Sequence, residues 1–198
     1  METNVERIVK RAIIEKMLLS DNAKEQLNRE KRVVFEIIPE LEKEDGFDHK
    51  HPHHCYDVWK HTLVAIDKSD KDLTIRLALL LHDVGKPYSY QEGKVRHFHG
   101  HPEVSSQMSE NILTRLSYTE KEINEICYLI KNHDNIIDVN NLEKDKMELA
   151  KKLLQIQYCD AYAHHPDHIE KRIKKLNEIK EQLYKKTKER YNMMENER

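Results

Sequence analysis

Almost every segment of this chain repeats its apolar residues at helical spacing, and 4 glycines and 5 prolines in 198 residues leave few places to turn. No alternating run of useful strand length appears. The pattern predicts an all-α fold, a compact multi-helix bundle. Helices are expected over residues 4–19, with Val5, Ile8, Ala12 and Ile13 on the inner face, and over 21–42, broken at Pro39. A loop carrying Gly46 and Pro52 leads to a short helix over 57–67, with Asp57 as its cap. Residues 70–84 form an apolar helix stopped by Gly85 and Pro87, followed by a loop around Gly93. Pro102 opens a helix to about Leu116, and Thr119 with Glu122 makes a capping box for a helix ending near His133. Two more helices are expected, from about Asp145 to Ala163 and from Pro166 to about Tyr191. In the last, Ile169, Ile173, Leu176 and Leu183 mark a packing face amid mixed charge.

With 38% apolar and 35% charged residues, the core is modest and the surface strongly solvated. One domain is expected over 1–198: N-terminal helices (1–46) packed on a central core (53–165), and a C-terminal amphipathic helix (166–198). A net charge of −2 gives no general attraction to nucleic acid or acidic membranes. Cys55, Cys127 and Cys159 are odd in number and lack a CxxC pair, which points to a reducing compartment. The opening METNVERIVKRAI lacks the uncharged core of a secretion signal, and no run reaches transmembrane length, so a soluble, cytoplasmic chain is expected.

Certain ionisable residues sit where apolar ones belong. His61 shares a helix face with Val58, Val64 and Ala65, and His82 shares one with Ala78 and Leu79. Asp83 follows Leu79 and Leu80 at the same offsets, His133 follows Leu129 and Ile130, and Asp160 follows Leu153 and Ile156. One such histidine is ordinarily a core residue bonded to a carbonyl, and one such aspartate is ordinarily paired with Arg or Lys. Three histidines and two aspartates facing one interior need a shared partner, and a divalent cation serves all five. Mixed nitrogen and oxygen donors without cysteine argue against a structural zinc knot and leave Mn, Fe, Co, Ni, Mg or a catalytic Zn.

His61, then the pair His82-Asp83, then the distant Asp160 resemble the H…HD…D signature of the HD-domain metal-dependent phosphohydrolases. The likeness is closer to the HD region of bacterial tRNA nucleotidyltransferases (CCA-adding enzymes). It is carried by IIPELE, PHHCYDVWKHTL, LALLLHDVGKP, HFHGHPEVSSQM, LIKNHD and YCDAYA in that order. The polymerising head of those enzymes has no counterpart: Asp70-Lys71-Asp72 lacks a Gly-rich loop beside it and reads as the polar start of a helix. CCA addition by this chain is therefore not expected.

The resemblance implies that His61, His82, Asp83 and Asp160 are the primary metal ligands. It implies that His101 and His133 hold a second metal or a substrate phosphate, for one or two ions in all. Between His99 and His101, His101 is expected to point inward because it directly precedes the helix start at Pro102. His97 and His99 are expected in an exposed loop. Asp83 and Lys86 are the implied catalytic residues, and Lys86 and His54 the implied substrate contacts. The implied reaction is attack of metal-activated water on a phosphomonoester or cyclic phosphodiester of a nucleotide or RNA end. The competing expectation is a non-catalytic nucleotide- or RNA-binding module associated with a separate nucleotidyltransferase.

Overall fold

In the helix Leu73–Leu81, Ile75 through Leu81 are all buried, a pattern found only in a helix enclosed on every side. The computed structural model describes residues 2–196 and builds the other elements around this helix. They are α1 (Asn4–Leu18), α2 (Ala23–Arg29), α3 (Lys31–Ile37), α4 (Val58–Asp67), the central α5 (Leu73–Leu81) and α6 (Lys86–Ser89). They continue with α7 (His101–Arg115), α8 (Glu120–Asn132), α9 (Met147–Tyr162) and α10 (Pro166–Asn196), and 3-10 turns lie at Pro39–Glu44 and Lys144–Lys146. The helix α5 packs against α4, α8 and α9, while α7 lies along α8 and α10 lies along α9. The all-helical expectation holds. Among the described residues no helix is long and apolar enough to cross a membrane.

Local chemistry sets the boundaries. Asp57, Asp72 and Thr119 each accept a backbone N–H from three residues on, capping α4, α5 and α8. Asp72 thus begins a helix, as expected of the Asp70-Lys71-Asp72 run. Arg76 is buried on α5 without being stranded: its guanidinium donates to the carbonyls of Leu18, Ser20, Ser69 and Asp70. Those bonds satisfy open carbonyls at the end of α1 and dock it on α5.

Several boundaries differ from expectation. The inner face of α1 is displaced: Val5 and Ile8 are 70% and 49% exposed and Ala12 is exposed, whereas Ile14, Met17 and Leu18 are buried. Only the C-terminal end of α1 is covered by α2 and α5, so periodicity along the whole helix overstated its packing. The region 21–42 breaks at Glu30 as well as at Pro39, giving α2, α3 and a 3-10 turn. Helix α5 ends at Leu81, and Gly85 and Pro87 do not simply stop it. Pro87 sits in the first turn of the new helix α6, where a missing N–H costs nothing. The last helix runs beyond Tyr191 to Asn196.

Candidate metal centre

His82 and Asp83 stand in the turn directly after α5, where the apolar helix delivers them into the middle of the bundle. His61 comes from the second turn of α4, and Asp160 from the end of α9. Gly100, with φ at 76°, turns the chain into α7 so that His101 is its first residue, and His133 caps the C-terminal end of α8. All six side chains are buried.

Each imidazole is held the same way. The Nδ1 atoms of His61, His82, His101 and His133 lie 3.1, 2.7, 2.9 and 2.7 Å from the carbonyls of Ala163, Leu79, Phe98 and Ile130. A carbonyl only accepts, so every Nδ1 carries a proton and every Nε2 is turned to the centre. The four Nε2 atoms converge on Asp83: those of His61 and His82 lie 3.6 and 3.3 Å from Oδ2. Those of His101 and His133 lie 3.3 and 3.8 Å from Oδ1. Asp160 Oδ1 completes the first group, 2.9 Å from His61 Nε2 and 3.8 Å from His82 Nε2. Two donor sets that could hold a metal ion result, His61/His82/Asp83 and Asp83/His101/His133, with Asp83 shared.

The electrostatics demand positive charge at this point. His82 Nε2 and Asp83 Oδ1 are buried without a hydrogen bond among the described residues, and Asp83 Oδ2 meets the Lys86 ammonium only as an ion pair. Burial favours a neutral His82, yet Asp83 and Asp160 outweigh it and lift the imidazole to about 9. Burial likewise raises Asp83, but His82 and Lys86 hold its carboxyl well below the usual range. A divalent ion would meet this demand by taking the place of the proton on His82 Nε2, on rings already oriented by their Nδ1–H bonds. These residues fit a metal.

Around the donors lies a second layer. Lys86 Nζ is 2.7 Å from Asp83 Oδ2 and 3.3 Å from His49 Nε2. Burial pushes His49 down to about 2, so it is neutral and accepts from Lys86 while Nδ1 donates to the Tyr56 carbonyl. Buried Glu44 is pushed well above the ordinary carboxyl value, by burial first and Asp83 second. Arg172, from α10, places Nη2 2.6 Å from Asp160 Oδ2 and 3.4 Å from Asp134 Oδ1. A cleft of about 270 Å³ opens over the cluster, with Lys86, Arg96, His101, His133, His164 and Arg172 in its walls.

The residues singled out in the sequence therefore meet in one place. His101, not His99, points inward, and His97 and His99 are exposed with their rings stacked at 5.5 Å. His54 lines the cleft, its ring 3.7 Å from that of His49, whereas the His53 carbonyl accepts from the His165 N–H. Sequence reasoning missed His49, Glu44, Asp134, His164 and Arg172. For Arg172 a signal existed: it lies three residues after Ile169 and four before Leu176, on the packing face of its helix.

A family model described as HD domain matches residues 53–190. Among individual proteins, the chain is 36% identical over 140 residues to the A-adding tRNA nucleotidyltransferase of Deinococcus radiodurans, covering 64% of this chain and 32% of that protein. It is 29% identical over 153 residues to the CC-adding tRNA nucleotidyltransferase of Thermus thermophilus, 72% of this chain and 34% of the relative. With the Multifunctional CCA protein of Cupriavidus necator it shares 27% over 137 residues, 67% of this chain and 32% of the relative. The chain thus spans about a third of the length of the curated relatives it matches.

Proposed function

Because the chain belongs to the HD-domain family, we propose that it is a metal-dependent phosphohydrolase acting on a nucleotide phosphate, free or at an RNA end. The observation that carries this reading is the set of four imidazoles fixed by carbonyl bonds with their Nε2 atoms around one buried aspartate. In this reading His61, His82, Asp83 and Asp160 would hold the first ion, and Asp83, His101 and His133 would hold a second. A divalent ion so bound supplies a water of lowered pKa and a Lewis acid for a phosphoryl oxygen.

The remaining chemistry falls to the chain. Asp83 bridges the two donor sets and fixes their spacing. Lys86, aligned by Asp83 and neutral His49, binds a phosphate oxygen and balances the charge that develops on it. His54, with a buried and unpartnered Nδ1 and its ring stacked on that of His49, contacts the substrate from the cleft wall. The water oxygen would form the new bond to phosphorus, the ester oxygen would leave with the bonding pair, and a proton given up by the water would pass through solvent to that oxygen. The names of the relatives point to tRNA, which favours a nucleotide or an RNA end as substrate.

The test is to measure bound metal, then assay the Mn, Co and Ni forms against nucleoside 2′-, 3′- and 5′-monophosphates and 2′,3′-cyclic nucleotides. Metal binding and turnover that both disappear in His82→Ala and Asp83→Ala support the proposal. Metal binding with no turnover of any of these substrates would instead favour an accessory binding module.

A further inference from the structure

Arg172 is the one cation at the centre that comes from the last helix, and its surroundings differ from those of an ordinary surface ion pair. Its Nη2 faces two carboxylates, Asp160 Oδ2 at 2.6 Å and Asp134 Oδ1 at 3.4 Å. Its Nη1 lies 3.4 Å from His164 Nε2. The His164 Nδ1 donates to the Asp160 carbonyl at 2.8 Å, so that ring is oriented with Nε2 as acceptor. Three of the five guanidinium N–H groups are thus directed at protein acceptors, and two remain. The side chain is about one-third exposed, and it forms part of the cleft wall.

The charge count shows what those groups are for. Asp83, Asp134 and Asp160 bring three negative charges to the centre, and Lys86 and Arg172 bring two positive ones. With two divalent ions the excess is three positive charges. A phosphomonoester dianion and an attacking hydroxide cancel it, whereas a diester monoanion leaves one charge uncompensated in a largely buried site. Lys86 is directed at Asp83 and His49, so of the two cations Arg172 keeps more N–H groups, one on Nε and one on Nη1, for a terminal phosphate.

We propose that Arg172 is a specificity-determining residue that binds the terminal oxygens of a phosphomonoester and sets the enzyme's preference for monoesters over diesters. This inference rests on the phosphohydrolase reading above and deepens it. The pairing of Asp160 Oδ2 with Arg172 also leaves Asp160 a single oxygen, Oδ1, for the ion beside His61.

The experiment uses the Mn-loaded chain with two ester probes, p-nitrophenyl phosphate and bis(p-nitrophenyl) phosphate. Calorimetry with inorganic phosphate and metal analysis run alongside. In Arg172→Gln, phosphate binding is expected to weaken about tenfold or more, and kcat/KM for the monoester to fall about 30-fold or more. Diester hydrolysis should stay within about threefold, and bound Mn should be unchanged. Arg172→Lys keeps the charge but loses the separate Nε and Nη1 donors of the guanidinium, and is expected to fall between. Equal losses on both esters, unaltered phosphate affinity, or loss of Mn would overturn the proposal and reduce Arg172 to a structural partner of Asp160. A wild-type protein that hydrolyses neither ester, yet loses phosphate affinity in Arg172→Gln, refutes hydrolysis while leaving Arg172 as the phosphate-binding group.

Discussion

Gly85→Ala should damage this protein far more than a single methyl group suggests. The Gly85 backbone, φ −81° and ψ −16°, suits any residue, so conformational freedom is not the reason for glycine here. Space is the reason. A Cβ at position 85 would lie 2.6 Å from the Ser105 backbone nitrogen, 2.9 Å from Ser105 Oγ and 3.0 Å from the His101 carbonyl oxygen. Two of those three atoms belong to the backbone of α7, so the helix itself must move. Overpacking of this kind costs about 1–3 kcal/mol. The displaced Gly85 N–H to Ser105 Oγ bond, 2.9 Å long, adds about 1 kcal/mol. Reduced freedom of the unfolded chain returns about 0.4–1 kcal/mol. The net loss is about 1–3.6 kcal/mol, or a Tm lower by roughly 2–14 °C for a chain of this size. His101 heads the same helix, with Nε2 3.3 Å from Asp83 Oδ1, so the displacement should weaken the His101/His133 side and spare His61 and His82. Circular dichroism melts in chelator give the stability change, and metal analysis at increasing Mn gives the site that fails first. The Ser105→Ala background removes the Oγ contact but not the 2.6 Å backbone contact, so it should relieve only a minor part of the loss. A Tm within about 2 °C of wild type, or simultaneous loss of both ions, would refute this reasoning.

Asp83→Asn should abolish metal binding at both donor sets together, since one carboxylate serves both; elemental analysis showing one ion retained at full occupancy would contradict the bridging role. Lys86→Met should lower kcat by about 10²–10³ with bound metal unchanged, read from single-substrate kinetics beside metal analysis. Arg115 makes a forked pair with Glu40 at 2.9 and 2.8 Å, remote from the centre, and Arg115→Ala should cost about 0.5–1 kcal/mol in urea melts without altering turnover. Burial raises the Glu40 carboxyl, but Arg115 outweighs it and holds the group below its ordinary 4.5. The folded carboxyl is therefore the more acidic one. That contribution is present above about pH 4.5 and fades as the pH falls, so the difference between wild type and Arg115→Ala should narrow in acid.

The parts legible in the sequence were those where a buried helix face carried a residue that does not belong in an apolar interior. His61, His82, Asp83, His133 and Asp160 all obey that rule, and the fold brings them together. Arg172 obeys it too, but its position among the charges of EKRIKK makes it read as solvated surface. Glu44 lies in a 3-10 turn, where no apolar period exists to mark an exception. His49 sits in a loop whose path depends on long-range bonds, the Val58 N–H to the Phe47 carbonyl and the bridge between Asp48 and Asp57. For α1 the reverse happened: periodicity identified an apolar stripe, but only the packing of α2 and α5 decides how much of it is covered.

The donors at positions 61, 82, 83 and 160 come from α4, the turn after α5 and the end of α9, so an ion held by them would be a cross-link among three distant stretches of chain. Like a disulfide closing a long loop, it removes disorder from the unfolded ensemble and does so for several loops at once. None of these helices can leave the bundle without surrendering a ligand, which ties local opening to global unfolding. Resistance to heat and proteolysis then tracks the free metal concentration, by about 1.4 kcal/mol for each tenfold rise above the dissociation constant. Metal supply would govern the lifetime of the folded chain as well as its chemistry.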